Sequence, residues 1–197
     1  MIYVFGELPQ WLINIIKELG EDTVRIHDCG VPPRNIVISI SNACTTKGSI
    51  VLSLLPYENA IPIQRSTARG ILSTVISLLK RVGDAKCIED ALLLLGFTKT
   101  DIINAMGMTE ITVNNQVVPG SIYTIIAINK HQNRYMVTLG RGTARGTLIL
   151  DTSISWLLSN GNDIYAAKGD LMLELMALSM IFSINFIHPN TPHQVNG

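Results

Sequence analysis

The chain has 197 residues, with 15 basic and 15 acidic side chains and a formal net charge of zero. This balance excludes a uniformly basic coat for nucleic acid, although it permits a local basic patch. Only 15% of the residues are charged and 47% are hydrophobic, whereas soluble domains average about 25% charged residues. Because little net repulsion opposes association of such a surface, we expect a partner or a second copy to cover part of it.

The compartment is indicated by the cysteines and by the apolar segments. Three cysteines form an odd set at wide spacing, without metal-ligand spacing: Cys29, Cys44 and Cys87. We expect these thiols to be reduced and buried. Residues 1–7 lack the basic region and cleavage site of a signal peptide. The most apolar stretch, Leu171 to Ile187, falls short of the roughly 20 residues of a membrane span. We therefore expect a cytoplasmic protein that does not cross a membrane.

The chain opens with a strand, a helix and a second strand. Ile2 to Phe5 is β-rich. A helix begins at Pro9 and ends at Gly20, because its apolar residues recur at i, i+3 and i+4. Thr23 to His27 is the second strand. This β-α-β opening predicts a sheet with helices packed on it.

The next elements are two strand candidates and two helices. Asn35 to Ala43 is rich in β-branched residues but is ambiguous between strand and helix. Ser49 to Leu55 is typical of a strand, since Pro56 closes it. Ser66 to Val82 has an apolar helical face, with Ser66 or Thr67 as its N-cap. A further helix is predicted from about Lys86 to Leu95, with Gly96 after it.

A hairpin and a terminal helix are predicted in the second half. Ser121 to Asn129 and Arg134 to Leu139 are β-rich and flank a polar turn, which is typical of a hairpin. Leu148 to Asp151 adds a possible strand, and a helix covers roughly Asp170 to Phe186. We expect this helix to be buried or to pair with a partner. Its expected partner-binding residues are Leu171, Leu175, Leu178 and Phe182.

These elements predict an α/β (α+β) protein with a mixed sheet flanked by helices. At this length we expect a single domain over residues 1–188. Residues 189–197 are expected to form a loose C-terminal tail.

Catalytic chemistry has little support in the sequence. His27, Asp28 and Cys29 are adjacent, but neighbours on a strand point to opposite faces. The other histidines show no metal-binding spacing, and no Walker lysine, HExxH or nucleophile elbow is present. The sequence therefore predicts a binding protein without catalysis, metal or cofactor.

Residues 100–116 contain a possible helix-turn-helix motif. The two helices would be Thr100 to Met106 and Glu110 to Gln116, with Gly107 allowing the sharp turn between them. A winged version would take helices from about residue 86 to 116 and a wing from about 121 to 139. The second helix offers no Arg or Lys, so its attraction for phosphate is weak.

The segment Gly140 to Gly146 follows a predicted strand and is rich in glycine. A dinucleotide loop must open into a helix, whereas the β-rich run Thr147 to Leu150 follows here. A flexible loop that presents Arg141 and Arg145 to nucleic-acid phosphates is one interpretation. A hairpin turn with two solvated arginines is the other. The basic residues that we expect at a nucleic-acid site are Arg65, Arg69, Lys80, Arg81, Arg141 and Arg145.

A family resemblance is carried by the β-α opening from Met1 to Gly20, Arg34 to Ala43, Pro62-Ile63 with Ser66, the long helix Ile71 to Leu79, Ile88-Glu89-Asp90-Ala91-Leu92 with Gly96, and Leu173 to Leu178. In this order the segments resemble the small tRNA-binding accessory subunit of the KEOPS complex, which makes threonylcarbamoyl-adenosine in tRNA. The chain departs from that family by apparent insertions near Ser49 to Ala60 and in Thr109 to Asp151. It also has Ser73 or Thr74 where the family usually has a glutamate.

The resemblance implies a non-enzymatic subunit that binds the acceptor end of tRNA and docks on a kinase-like subunit of the complex. Two alternatives stay open. One is a winged helix-turn-helix regulator that binds DNA, and the other is a protein–protein scaffold that binds no nucleic acid. A homo-oligomer also fits the low charge.

Overall fold

The structure is a computed structural model. It describes residues 1–40, 46–57, 59–99, 108–112, 116–118, 124–132, 134–151, 155–159, 164–168, 171–187 and 193–194. The chain divides into two compact units. Unit 1 comprises Met1–Ile88 and Leu173–Ser183, and unit 2 comprises Glu89–Met172 and Ile184–Gly197.

The secondary structure combines four helices with fifteen strands among the described residues. In chain order the elements are β1 (Ile2–Phe5), α1 (Gln10–Glu18), β2 (Thr23–Ile26), β3 (Ile36–Ser39), β4 (Ile50–Ser53), β5 (Ile61–Pro62), α2 (Ala68–Val82), α3 (Ile88–Leu94), β6 (Thr98–Lys99), β7 (Met108–Thr112), β8 (Gln116–Val118), β9 (Thr124–His131), β10 (Arg134–Arg141), β11 (Ala144–Asp151), β12 (Ser155–Ser159), β13 (Ile164–Lys168), α4 (Met172–Phe182), β14 (Asn185–Ile187) and β15 (His193–Gln194). The predicted mixed α/β class is confirmed.

Unit 1 is built on a parallel sheet with the strand order β2-β1-β3-β4-β5. All residues of β3 and β4 are buried, as expected for parallel strands that are covered on both faces. Helices α1 and α2 pack against each other. Leu12 and Ile16, one helical turn apart, are the buried residues of α1. Burying one such side chain contributes roughly 1.5–3 kcal/mol.

The β-α-β opening is confirmed, and the ambiguous Asn35 to Ala43 segment contains β3. Helix α2 ends at Val82 as predicted but begins at Ala68. Thr67 occupies its N-cap position without a capping hydrogen bond. The Thr67 hydroxyl instead donates to the Gln64 carbonyl, at 3.3 Å.

Helix α4 belongs largely to unit 1 and is shorter than predicted. It ends at Phe182 because Ser183 adopts a left-handed φ of 53°, which interrupts a right-handed helix. Phe186, expected in this helix, lies in strand β14. No helix among the described residues is long and apolar enough to cross a membrane.

Unit 2 contains two five-stranded sheets, ordered β15-β9-β10-β11-β7 and β14-β12-β13-β8-β6. The predicted hairpin is confirmed as β9 and β10, and β11 extends it in antiparallel pairing. The β10–β11 turn has two residues, with Gly142 at a φ of 59°, a conformation that favours glycine in hairpin turns. In β10, Tyr135, Val137 and Leu139 are buried and alternate with more exposed residues.

The prediction of a second helix in the helix-turn-helix motif is wrong. Within Glu110 to Gln116, residues 110–112 belong to β7 and Gln116 begins β8. Strand β7 pairs in parallel with β11, and β8 pairs with β13. The β-branched Ile111 and Thr112 favour a strand. The expected first helix and Gly107 lie outside the described residues.

Two further expectations concern the C-terminal tail and the number of domains. Inside the tail that we expected to be loose, β15 pairs with Ala127 and Ile128 of β9. The single domain expected over residues 1–188 stays a prediction beside the division into two units.

The expectation of three reduced, buried thiols is wrong. Cys29 is half-buried in the loop after β2 and is disulfide-bonded. Cys87 is free, but it is exposed just before α3. Cys44 lies outside the described residues.

Candidate nucleic-acid interface on helix α2

The exposed face of α2 is basic. Residues 59–83 contain four basic residues and no acidic residue, although the whole chain is neutral. Leu72, Val75 and Ile76 are among the buried residues of the helix. At 100° per residue, these apolar positions fall on one side, and the polar residues therefore fall on the opposite side.

The exposed face carries hydrogen-bond donors along its whole length. Arg69, Ser73, Ser77 and Lys80 are exposed and follow one another at intervals of four, four and three residues, so they form one stripe. The distance along the axis from Arg69 to Lys80 is about 16 Å at 1.5 Å per residue. Arg81 is exposed beside Lys80. The stripe thus has cations at both ends and hydroxyl groups between them.

Two cations of this face have acidic neighbours near the end of α1. Arg69 forms an ion pair with Glu18, and Lys80 Nζ lies 3.5 Å from Glu21 Oε1. The Arg69 and Lys80 side chains are 61% and 71% exposed. The Glu18 side chain is 56% exposed, so the Arg69–Glu18 pair is an exposed one, and such pairs contribute at most about 1 kcal/mol. The Glu21 side chain is only 12% exposed. A phosphate can therefore replace Glu18 as the partner of Arg69 at small cost. The largely buried Glu21 carboxylate keeps the Met1 ammonium group as a partner when a phosphate takes its place at Lys80.

Glu21 also accepts a hydrogen bond from the Met1 ammonium group, at 2.7 Å. This hydrogen bond is the main reason why the pKa of Glu21 is lowered from its ordinary value, against the opposing effect of burial. The Glu21 carboxylate is therefore charged at neutral pH.

Arg65 lies just before α2 and is exposed. Among the contacts of the described residues, Arg65 has no acidic neighbour within ion-pair distance. As far as the described residues show, Arg65 can therefore take up a phosphate without breaking an ion pair.

The two remaining predicted arginines belong to unit 2. Arg141 ends β10 and is exposed. Arg145 Nη1 donates to the carbonyl oxygens of Gly142 and Ala144, at 2.9 and 3.0 Å. The glycine-rich segment is thus a tight hairpin turn, and Arg145 folds back on it. Four of the six predicted cations lie on or beside α2, and two lie at this turn.

Two of the four residues expected to bind a partner are buried, and for the other two the expectation stays a prediction. Leu175 and Leu178 are 1% and 0% exposed, so they belong to the core of unit 1 and offer no surface to a partner. Leu171 and Phe182 are half-buried. The Phe182 ring contacts the Arg34 guanidinium, whose carbon lies 5.8 Å from the ring centroid.

The His27, Asp28 and Cys29 group and the metal-ligating residue types were the other candidates. The Asp28 carboxylate accepts a hydrogen bond from the Gly30 backbone, at 2.9 Å. Among the described residues, no three His, Cys, Asp or Glu side chains are close enough to hold a metal ion. Ser73 and Ser77 were not among the residues expected at a nucleic-acid site. Their spacing of four residues on the polar side of α2 could have indicated that they lie on the same face as Arg69 and Lys80.

Comparisons with protein-family models, with curated proteins and with solved structures found no match for this chain.

Proposed function

We propose that the protein is a non-catalytic accessory subunit that binds RNA phosphates along the exposed face of α2. The observation that carries this proposal is the stripe with cations at both ends, two serine hydroxyls between them and no acidic residue of its own. Arg, Lys and Ser side chains are common donors to phosphate oxygens. Phosphate contacts of this kind position a nucleic acid without reading its sequence.

The resemblance in segment order supports tRNA as the particular RNA and a kinase-like protein as the docking partner. In this proposal the protein works in the cytoplasm. The disulfide at Cys29 is unusual for this compartment, because disulfides are rare in cytosolic proteins.

DNA regulation is not proposed, because strands occupy part of the expected recognition helix. If the experiment below detects no binding to any nucleic acid, the protein–protein scaffold is the alternative that it favours.

The experiment is a binding titration over a series of salt concentrations. Labelled bulk tRNA, the same tRNA with a trimmed acceptor end, and random duplex DNA are the three ligands. We expect intact tRNA to bind most tightly. Each phosphate contact adds about one unit to the slope of log affinity against log salt.

Two variants locate the site. Lys80→Ala removes a cation of the α2 face and should weaken tRNA binding and lower the salt slope. Lys47→Ala removes an equally simple charge from an exposed loop of unit 1 and should leave both unchanged. If no ligand binds at low salt, or if both variants behave alike, the proposal is wrong.

A further inference from the structure

Strand β2 forms an open edge of the parallel sheet in unit 1. It is the outermost strand in the order, and among the described strands it pairs with β1 alone. Thr23, Val24 and Arg25 are exposed, and Ile26 is half-buried. An edge strand of this kind presents unpaired N–H and C=O groups to another chain.

The register with β1 identifies the backbone groups that point outward. Ile2 N donates to Asp22 O at 2.8 Å, and Ile2 stands opposite Thr23. Alternate residues of a strand direct their backbone groups to the same side. Asp22, Val24 and Ile26 therefore face β1, whereas Thr23 and Arg25 present their N–H and C=O groups to the open edge.

We propose that β2 pairs antiparallel with β2 of a second copy, about a two-fold axis at Val24. In this register Thr23 stands opposite Arg25 of the second copy, and Arg25 stands opposite Thr23 of the second copy. Their outward backbone groups match as two hydrogen-bonded pairs, which supply four hydrogen bonds. Val24 faces Val24 of the second copy at the non-hydrogen-bonded position between them. The two parallel sheets then form one continuous sheet.

The charges of the edge favour this register, and the zero net charge of the chain permits a second copy as the partner. Centring the pair on Arg25 would place two guanidinium groups directly opposite each other, which is destabilising. Centring it on Thr23 would match only one pair of residues inside β2. Arg25 already lies 3.4 Å from Glu7 of its own chain, so the edge carries no uncompensated cation. The chain has no net charge, so little repulsion opposes the approach of a second copy.

The register places the exposed Val24, 38% accessible, at the centre of the interface. A β-branched side chain packs well against its cross-strand equivalent. The inference does not depend on RNA binding, because none of these residues belongs to the α2 face.

The first test is the mass of the full-length protein in solution over a wide range of concentrations, by light scattering after gel filtration. We expect a species of twice the 21.6 kDa chain mass. Val24→Lys should convert it to a monomer, because two ammonium groups would then face each other. Leu55→Lys is the matched control, since Leu55 is also exposed but follows β4, three strands away. It should leave the dimer intact.

A second test does not require Val24→Lys to fold. In a Cys87→Ser background, Val24→Cys should form a disulfide-linked dimer on oxidation, because facing residues at a non-hydrogen-bonded position have Cα atoms about 4.5 Å apart. Thr23→Cys should link far less, since Thr23 faces Arg25. A monomer at every concentration, a dimer that Val24→Lys leaves intact, or equal linking of the two cysteine variants would overturn the proposal.

Discussion

Arg34 joins three parts of unit 1 and supports a quantitative prediction. Its backbone adopts a left-handed φ of 64°, and its amide donates to Gly48 O at 2.6 Å. Its guanidinium donates to the Gly83 carbonyl, just after α2, and lies over the Phe182 ring of α4. Arg34 thus connects the loop before β3 to the ends of two helices.

We expect Arg34→Ala to destabilise unit 1 by roughly 2–4 kcal/mol. A partly buried hydrogen bond from a charged group contributes about 1.5–3 kcal/mol, and the contact with the aromatic ring adds about 0.5–1 kcal/mol. Arg34→Gly loses the same contacts, but glycine adopts the left-handed conformation without the cost of about 1–2 kcal/mol that other residues incur. We therefore expect the glycine variant to be about 1 kcal/mol more stable than the alanine variant.

The assay is urea unfolding followed by tryptophan fluorescence. Trp11 lies in α1 of unit 1 and Trp156 in β12 of unit 2, so Trp156→Phe makes the signal specific to unit 1. The midpoints of the alanine and glycine variants are then compared in this background. An alanine variant within about 0.5 kcal/mol of the parent, the range of ordinary surface substitutions, would refute the role of Arg34. An alanine variant more stable than the glycine variant would refute the strain argument.

Three further predictions concern the whole chain. Burial raises the pKa of Tyr135 to about 12, so between pH 10 and 12 the unfolded chain loses a phenol proton that the folded chain keeps, and stability falls by about 1.4 kcal/mol per pH unit; below pH 10 this contribution is fully present. Tyr135→Phe should remove this part of the alkaline destabilisation in unfolding titrations, and an unchanged pH dependence would contradict the burial argument. The disulfide at Cys29 should leave one titratable thiol per denatured, non-reduced chain, whereas three thiols would exclude it. If residues 1–188 are one domain, calorimetry should show one unfolding transition with equal calorimetric and van't Hoff enthalpies, and two separated transitions would assign a domain to each unit.

The opening elements of unit 1 and helix α2 could be predicted because their signals are local. Leu12 and Ile16 mark the buried side of α1 by their spacing alone. Gly83 follows α2 where the apolar pattern ends. The sheet order was not predictable in the same way, because β1 lies between β2 and β3, and no local pattern encodes which strands become neighbours.

The residues after α3 show where local patterns fail. Gly107 and the residues around it resemble a helical turn, but Ile111 pairs with Leu150 of β11, which is far away along the chain. Strand pairing of this kind depends on tertiary contacts, which override weak local preferences. The predicted end of α4 is wrong for a related reason. The apolar pattern of the helix does not indicate that Ser183 adopts a left-handed conformation.

The candidate site was partly predictable. The cations of α2 follow from composition and helical spacing, and so does the absence of acidic residues between them. The role of Arg145 does not, because its hydrogen bonds to Gly142 and Ala144 exist only when the hairpin has formed. The pairing of Glu18 with Arg69 likewise depends on how α1 packs on α2.

The most direct test of the proposed function is the salt dependence of tRNA binding by a variant in which Arg65, Arg69, Lys80 and Arg81 are all replaced by alanine. The far-ultraviolet circular dichroism spectrum should match that of the parent, since all four side chains are exposed. If the α2 face binds RNA, the slope of log affinity against log salt should fall by about four units, roughly one for each lost phosphate contact. A variant that binds tRNA with the parent affinity and slope would show that α2 is not the site.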